Sequence, residues 1–304
     1  MPPAIRTWLL KSVRILGTVS DAVGSRAALS KAQWDTLKSC ASRIEGHNRT
    51  MRIRVLGCSG GIGVGLHTTS LLVDDDILID AGTGVGELTL DEMAGIRHIF
   101  LTHSHLDHIA GIPLLVDSIF DRIATPITIH AQTPTLDALR AHIFNWVIWP
   151  DFTRLPSAQA PVLQYELMAA GTMLSLGQRK VEMIPVKHIV PGVGYRVSEG
   201  SRAFAFSGDT SSNDTLWEAL NRHEDLDLLI VECAFANEDM ELSRLAAHYC
   251  PDLLAADINK LRLRPAVHLT HFKPGSEEAI FSECRLAMPD RDPQRLFGGE
   301  IFQL

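Results

Sequence analysis

Thr102-His103-Ser104-His105-Leu106-Asp107-His108 decides the fold of this 304-residue chain, and it follows the apolar run Ile99-Phe100-Leu101. Three histidines and a carboxylate within six residues are more than core packing or a polar turn requires. His103 and His105 are two residues apart, so on extended backbone both project to one side. Asp107 and His108 are adjacent and can turn the other way. Because Zn²⁺ accepts imidazole nitrogen and carboxylate oxygen, this stretch predicts ligands for two neighbouring metals.

Three more candidate ligands follow predicted strands farther along the chain: His188, Asp209 and His271. Each would be ambiguous alone, because a lone histidine is more often a satisfied core or surface group. Their shared placement just past a strand predicts a common site with the first stretch.

The HxHxDH motif and the order of the three later residues resemble the metallo-β-lactamase superfamily over residues 51–304. The resemblance implies an α/β fold, the αβ/βα four-layer sandwich, and a metal-dependent hydrolase. It implies two divalent ions, with Zn²⁺ favoured over Mn²⁺ or Fe²⁺. His103, His105 and His188 would bind one metal, Asp107, His108 and His271 the other, and Asp209 would bridge both. Asp80, at another strand end, would support a metal-binding loop or cap a turn.

Within the superfamily, Leu106 makes the motif HSHLDH, which resembles class II 3′,5′-cyclic nucleotide phosphodiesterases more than the HGDH of transfer-RNA 3′-processing endonucleases. Glu232 and His248 resemble a pair found in both groups, but Val231 replaces the histidine that precedes the glutamate in the RNA enzymes. The resemblance implies hydrolysis of a 3′,5′-cyclic nucleotide, cyclic AMP in particular, to the 5′-monophosphate by a metal-bridging hydroxide. His248, Glu232 and Asp107 are the predicted catalytic residues, with His248 as general acid.

Ser59, Gly60 and Gly61 lie in a glycine-rich loop that could form one wall of the pocket, and Lys273 follows His271; these four are candidate substrate contacts. Three functional alternatives remain open. They are a transfer-RNA 3′-end endoribonuclease, another hydrolase on this fold, and a non-catalytic nucleotide-binding protein. The aromatic segment 144–152 could stack on a nucleobase, pack in the core or form a dimer contact.

Composition limits the partners. The net charge is −8, which argues against a protein that coats nucleic acid, so we expect a small cyclic nucleotide and no DNA. Five scattered cysteines without CxxC spacing favour a reduced, cytoplasmic compartment, and no apolar run reaches membrane-span length.

Residues 1–50 carry eight Lys/Arg against three Asp/Glu and show helical periodicity. We therefore predict a helical N-terminal extension over residues 1–50, a catalytic domain over 51–304, and allow for a homodimer.

Overall fold

The fold is seen in a computed structural model that describes residues 50–304. The predicted helical extension over residues 1–50 lies, except for residue 50, outside the described residues, and the predicted domain boundary stays a prediction. Within residues 50–304 there are sixteen strands: β1 Arg52–Gly57, β2 Ser70–Val73, β3 Ile77–Ile79, β4 His98–Phe100, β5 Ile127–Ala131, β6 Pro156–Ser157, β7 Ala160–Pro161, β8 Leu163–Leu167, β9 Met173–Leu176, β10 Arg179–Val186, β11 Gly192–Glu199, β12 Arg202–Phe206, β13 Leu228–Glu232, β14 Ala266–Thr270, β15 Gln294–Arg295 and β16 Ile301–Gln303.

The α-helices of the described part are short. They are α1 Leu90–Met93, α2 Leu106–Ile109, α3 Gly111–Ser118, α4 Thr133–Ala138, α5 Thr215–Leu220, α6 Met240–Ala246, α7 Pro251–Ile258 and α8 Glu277–Ala287. A π-helical turn, Leu139–Ile143, continues α4. Across residues 50–304 there is no helix with the length and apolar character that a bilayer crossing requires.

Two seven-stranded sheets form the centre of the domain. The first has the order β16-β1-β2-β3-β4-β5-β8, and the second has the order β15-β14-β13-β12-β11-β10-β9. In the first sheet β3, β4, β5 and β8 run parallel. In the second sheet β12, β13, β14 and β15 run parallel. The carboxyl ends of each parallel set therefore share one sheet edge, which is where open α/β sheets place ligands.

The alternation of side chains along each strand explains how the two sheets and the helices pack in layers. In β4, Phe100 joins the core between the two sheets, and the neighbouring Ile99 packs on the opposite face with the helices of the first sheet. In β13, Ile230 joins the core between the sheets, and Val231 packs with Trp217 of α5 on the outer face. Because successive side chains of a strand point to opposite faces, each sheet has an apolar side for its partner sheet and one for its helices. This arrangement confirms the predicted αβ/βα sandwich.

The structure corrects several element boundaries. From the sequence we expect a strand over Ile99–Thr102 and one short helix after His108. The strand ends at Phe100, and two helices are present, the first of which begins at Leu106 inside the motif. Five strands were not predicted from the sequence: β6, β7, β8, β15 and β16. In the aromatic segment, Phe144 and Phe152 are buried in the core, as one alternative proposed. Trp146 is 58 % exposed, and a dimer contact there stays a prediction.

Candidate metal centre

The candidate ligands stand where the chain leaves strands of the two sheets. His103 follows β4 by three residues, His188 follows β10 by two, Asp209 follows β12 by three and His271 follows β14 directly. Asp107 and His108 lie in the first turn of α2, whose N-cap is His105. The start of this helix is the turn that separates Asp107 and His108 from His103 and His105.

The structure brings the seven residues into two groups that share one carboxylate. His103, His105, His188 and Asp209 form the first group, and Asp107, His108, Asp209 and His271 form the second. In each group every residue offers one ligand atom, and these atoms lie within 4.8 Å of one another. The partition is the one that the resemblance implied. Metal binding by these residues stays a prediction, which we take up under the proposed function.

Distances around Asp209 explain why it is shared. Its Oδ2 lies 3.2 Å from His108 Nε2 and 3.3 Å from His271 Nε2 in the second group. The same oxygen lies 3.7 Å from His103 Nε2 in the first group. Asp209 is 2 % exposed, so its charge is screened little by solvent.

Unsatisfied polar atoms test whether this donor set suits a metal. Nε2 of His103, His108 and His271 and Oδ1 of Asp209 are buried, and none has a hydrogen-bond partner among the described residues. Buried polar atoms are normally hydrogen-bonded, so a cluster of four such atoms calls for an explanation. All four belong to groups that bind metals when unprotonated. The residues present therefore fit a pair of divalent ions.

Neighbouring polar groups fix the orientation of the imidazoles in the centre. His108 Nδ1–H donates to Asp80 Oδ2 at 2.7 Å. His103 Nδ1–H donates to Thr102 Oγ1 at 2.9 Å, and that hydroxyl donates to the same Asp80 oxygen at 2.8 Å. Asp80 also accepts the Thr102 backbone N–H at 2.8 Å, so it both supports the loop and caps the turn. These bonds leave Nε2 of both histidines for a metal, as metal-ligating histidines require.

Three supporting groups were missed from the sequence. Thr102 is the first, and it stands beside the motif, where a hydroxyl was the available signal. The second is the carbonyl of Ala247, which accepts His188 Nδ1–H at 3.0 Å. The third is Thr69, whose hydroxyl lies 3.5 Å from His271 Nδ1. The Ala247 and Thr69 contacts join residues 59 and 202 positions apart, so sequence spacing gives no sign of them.

Backbone conformation marks the same site. Asp80 has φ 56° and His271 has φ 66°, both in the left-handed region that non-glycine residues rarely adopt. Each conformation is held by surrounding hydrogen bonds, since His271 N–H donates to Cys58 O at 2.8 Å and Asp80 N–H donates to Phe100 O at 2.8 Å. Strain of this kind concentrates at functional sites.

Lowered pKa values keep most of the imidazoles unprotonated, the state in which they can bind a metal. Burial lowers the pKa of His188 to about 4 and that of His271 to about 3, with opposing attraction from Asp209. Burial also holds the pKa of His103 well below its usual value. His108 differs, because Asp209 and Asp80 together outweigh burial and raise its pKa well above the usual value. At neutral pH the other three rings are therefore neutral, and His108 carries a proton that a metal would displace.

The predicted catalytic pair lies beside the two groups. His248 Nδ1–H donates to Glu232 Oε1 at 2.7 Å, and Glu232 is fully buried at the end of β13. The His248 ring stacks on His271 with centroids 5.3 Å apart and meets the His188 ring edge-on at 4.9 Å. Burial opposes the charged imidazole, but the Glu232 carboxylate outweighs it and raises the pKa of His248.

Hydrogen bonds within the glycine-rich loop exclude some of the predicted substrate contacts. Ser59 N–H donates to His67 O at 3.0 Å and Gly60 N–H donates to Phe272 O at 3.0 Å, so neither N–H is free for a phosphate. A Cβ on Gly60 would lie 2.5 Å from His271 O, so only glycine allows the loop to approach the candidate ligand this closely. Lys273 Nζ donates to Gly60 O at 3.0 Å and has further N–H donors for a substrate.

Comparison with known proteins agrees with this geometry. The beta-lactamase superfamily domain matches residues 75–287. The chain belongs to this family. Together with the similar proteins described next, the match identifies a metal-dependent hydrolase with the metallo-β-lactamase fold. The family also implies divalent metals, as the donor set does.

Two similar proteins carry names that describe different activities. A probable 3′,5′-cyclic-nucleotide phosphodiesterase of Yersinia pestis is 28 % identical over 274 residues, which cover 73 % of this chain and 78 % of that protein. A ribonuclease Z of Haloarcula marismortui is 25 % identical over 296 residues, which cover 78 % of this chain and 91 % of that protein. Among solved structures, unliganded yeast PDE1 superimposes with a TM-score of 0.71 at 19 % identity, covering 84 % of this chain and all of that one.

Proposed function

We propose that this protein hydrolyses the phosphodiester of 3′,5′-cyclic nucleotides, cyclic AMP in particular, to nucleoside 5′-monophosphates. The seven residues of the two groups would hold two Zn²⁺ ions, since imidazole and carboxylate are ligands of that metal. When bound, such ions would lower the pKa of water and offset negative charge that develops on the phosphate oxygens.

We assign the remaining roles, which are metal positioning, phosphate contact and proton donation, to residues of the chain. Asp209 and Asp107 would supply negative charge to the metals, and Asp80 holds the His108 ring in place. Lys273 and the N–H of Gly61, which takes no acceptor among the described residues, would contact the phosphate oxygens. His248, oriented by Glu232, would protonate the departing 3′ oxygen of the ribose.

The observation that carries the proposal is the position of the Glu232–His248 pair. Its imidazole contacts the rings of His188 and His271, one from each ligand group. A ribose oxygen is a poor leaving group and needs a proton, whereas a hydrolase that acts on an activated substrate has no such need. A proton donor fixed beside a metal pair therefore suits a phosphodiester with a sugar leaving group.

A second candidate function is cleavage of RNA at a 3′ end. The similarity to a ribonuclease Z over most of that protein's length favours it. Val231 argues for the cyclic nucleotide, because this fully buried residue stands where the RNA enzymes have a histidine before the glutamate. The acidic net charge of −8 also offers little to neutralise an RNA backbone.

A substrate comparison tests the proposal. The zinc-loaded protein is given cyclic AMP, cyclic GMP, a 2′,3′-cyclic nucleotide and a precursor transfer RNA, at low and high salt. We expect turnover of cyclic AMP that changes little with salt. Cleavage of the transfer RNA that falls steeply with salt, without turnover of 3′,5′-cyclic nucleotides, would favour the second function instead.

A further inference from the structure

A cavity of about 90 Å³ lies on the glycine-rich loop and contains none of the seven candidate metal ligands. Its apolar wall includes Leu56, Leu66, Phe272 and Phe297. A water molecule needs roughly 10–15 Å³ on the same measure, so the cavity has room for a group several times larger. Phe297 is 52 % exposed, which makes the cavity reachable from solvent.

One polar side chain of this cavity has no partner. Ser59 is 8 % exposed, and its Oγ is buried without a hydrogen-bond partner among the described residues. The backbone of Ser59 is satisfied, because its N–H donates to His67 O at 3.0 Å. Leaving a buried hydroxyl unpaired is unfavourable. The hydroxyl is therefore the polar group that a bound molecule would meet.

The charged side chains of the cavity already have partners. Arg295 lies over the rings of Phe272 and Phe297, 5.8 and 5.0 Å from their centroids, and its Nη1 donates to Glu278 Oε1 at 2.8 Å. Glu277 Oε2 accepts the Gly275 N–H at 2.7 Å.

The remaining ionisable groups of the wall do not add a free charge. His67 Nε2 lies 3.1 Å from Glu87 Oε1. The Cys58 thiol donates to Leu296 O at 3.4 Å, so it also has a partner. The balance of charges in the wall favours a neutral molecule.

We propose that this cavity is a second binding site, for a small, uncharged, planar ring that carries one hydroxyl or amino group. The ring contacts the aromatic wall of Phe272 and Phe297, and its polar group pairs with Ser59 Oγ. Aromatic rings prefer such partners, and the hydrogen bond removes the unpaired hydroxyl. The site is independent of the proposed phosphodiesterase activity.

Binding of 4-fluorophenol and fluorobenzene to the zinc-loaded full chain, followed by fluorine NMR, tests the proposal. The two probes share the ring and differ in the hydroxyl. We expect saturable binding of both, with 4-fluorophenol bound roughly three- to tenfold more tightly. Ser59→Ala should abolish this preference while retaining fluorobenzene. Phe297→Ala should weaken both probes roughly three- to tenfold.

Two controls keep the outcomes distinct. Leu286→Ala removes a side chain that is 83 % exposed on α8 and should leave both affinities unchanged. Because Cys58 O accepts the His271 N–H at 2.8 Å, the zinc content of each variant is measured as well, to separate a lost cavity from a disturbed metal centre. Absence of saturable 4-fluorophenol binding, or an unchanged preference in Ser59→Ala with full zinc content, would overturn the proposal.

Discussion

Asp80–His108 and Glu232–His248 are two carboxylate–imidazole pairs with the same local geometry. In each, Nδ1 of the histidine lies 2.7 Å from a carboxylate oxygen, and each carboxylate is fully buried. The pairs differ in what surrounds the rest of the ring. His108 Nε2 lies 3.2 Å from Asp209 and belongs to a ligand group, whereas His248 belongs to neither group.

Exposure separates the two rings further. His108 has no exposed surface, and His248 keeps 7 %. A fully buried ring whose Nε2 faces a second carboxylate can bind a metal but cannot reach a substrate. A ring at the edge of the same site can transfer a proton to a bound molecule. We therefore propose that Asp80–His108 acts as a metal ligand with its support and that Glu232–His248 acts as a general acid with its support.

The largest expected effect comes from His108→Ala. This variant should bind about one metal fewer per chain and lose more activity than the ~10²–10⁴-fold that a missing general acid causes. Elemental analysis and kcat measure the two effects. His130→Ala is the matched control, because His130 is 1 % exposed and stacks on Phe100 outside the centre. Retention of two tightly bound metals in His108→Ala would remove this residue from the ligand set.

Asp80→Asn should weaken metal binding by about 10–100-fold, as loss of a ligand's hydrogen-bond partner commonly does. The amide can still accept the Thr102 N–H, so the turn should persist. Competition with a chromophoric chelator measures the affinity. An unchanged affinity would mean that Asp80 only caps the turn.

Glu232→Gln should leave metal affinity unchanged and lower turnover of cyclic AMP by less than removal of His248 does. The Glu232 carboxylate holds the pKa of His248 raised, and activity that needs the protonated ring is lost as pH rises through that pKa. Without the carboxylate this loss should occur at lower pH. A pH profile of kcat measures the shift, and a profile that does not move would contradict the pairing.

The smallest expected effect is the number of protons released when zinc binds. His188 and His271 are neutral at pH 7, with pKa values of about 4 and about 3, while the pKa of His108 is raised. Zinc binding to the metal-free protein at pH 7 should therefore release about one proton from His108. A pH indicator in weak buffer measures the release. His108→Ala should lack this proton, and equal release in both proteins would contradict the assignment.

The sequence could predict that the candidate ligands lie together, because most of them follow local signals. The four candidates outside α2 and its N-cap stand one to three residues past an apolar strand, as His271 does after Leu269-Thr270, and strand ends are readable from alternation. The split of Asp107 and His108 from His103 and His105 also followed from adjacency, although its physical cause, the start of α2 at Leu106, was not foreseen.

Other features depend on contacts that sequence spacing does not encode. Strand β16 pairs with β1 across most of the chain, and β15 has only two residues, too short for a periodic pattern. The Gly60 N–H donates to Phe272 O. A hydrogen bond within the fold therefore uses a donor that the sequence suggested for phosphate. Tertiary pairing of this kind overrides what a glycine-rich loop suggests alone.

The most direct test of the division between the two pairs is the substrate selectivity of His248→Ala. A general acid matters for a ribose leaving group and little for p-nitrophenolate, which departs unprotonated. With both metals retained, turnover of cyclic AMP should fall by about 10²–10⁴-fold, and turnover of bis(p-nitrophenyl) phosphate should stay nearly unchanged. Equal losses on the two substrates would contradict the acid role and would make His248 a support of the metal centre, like His108.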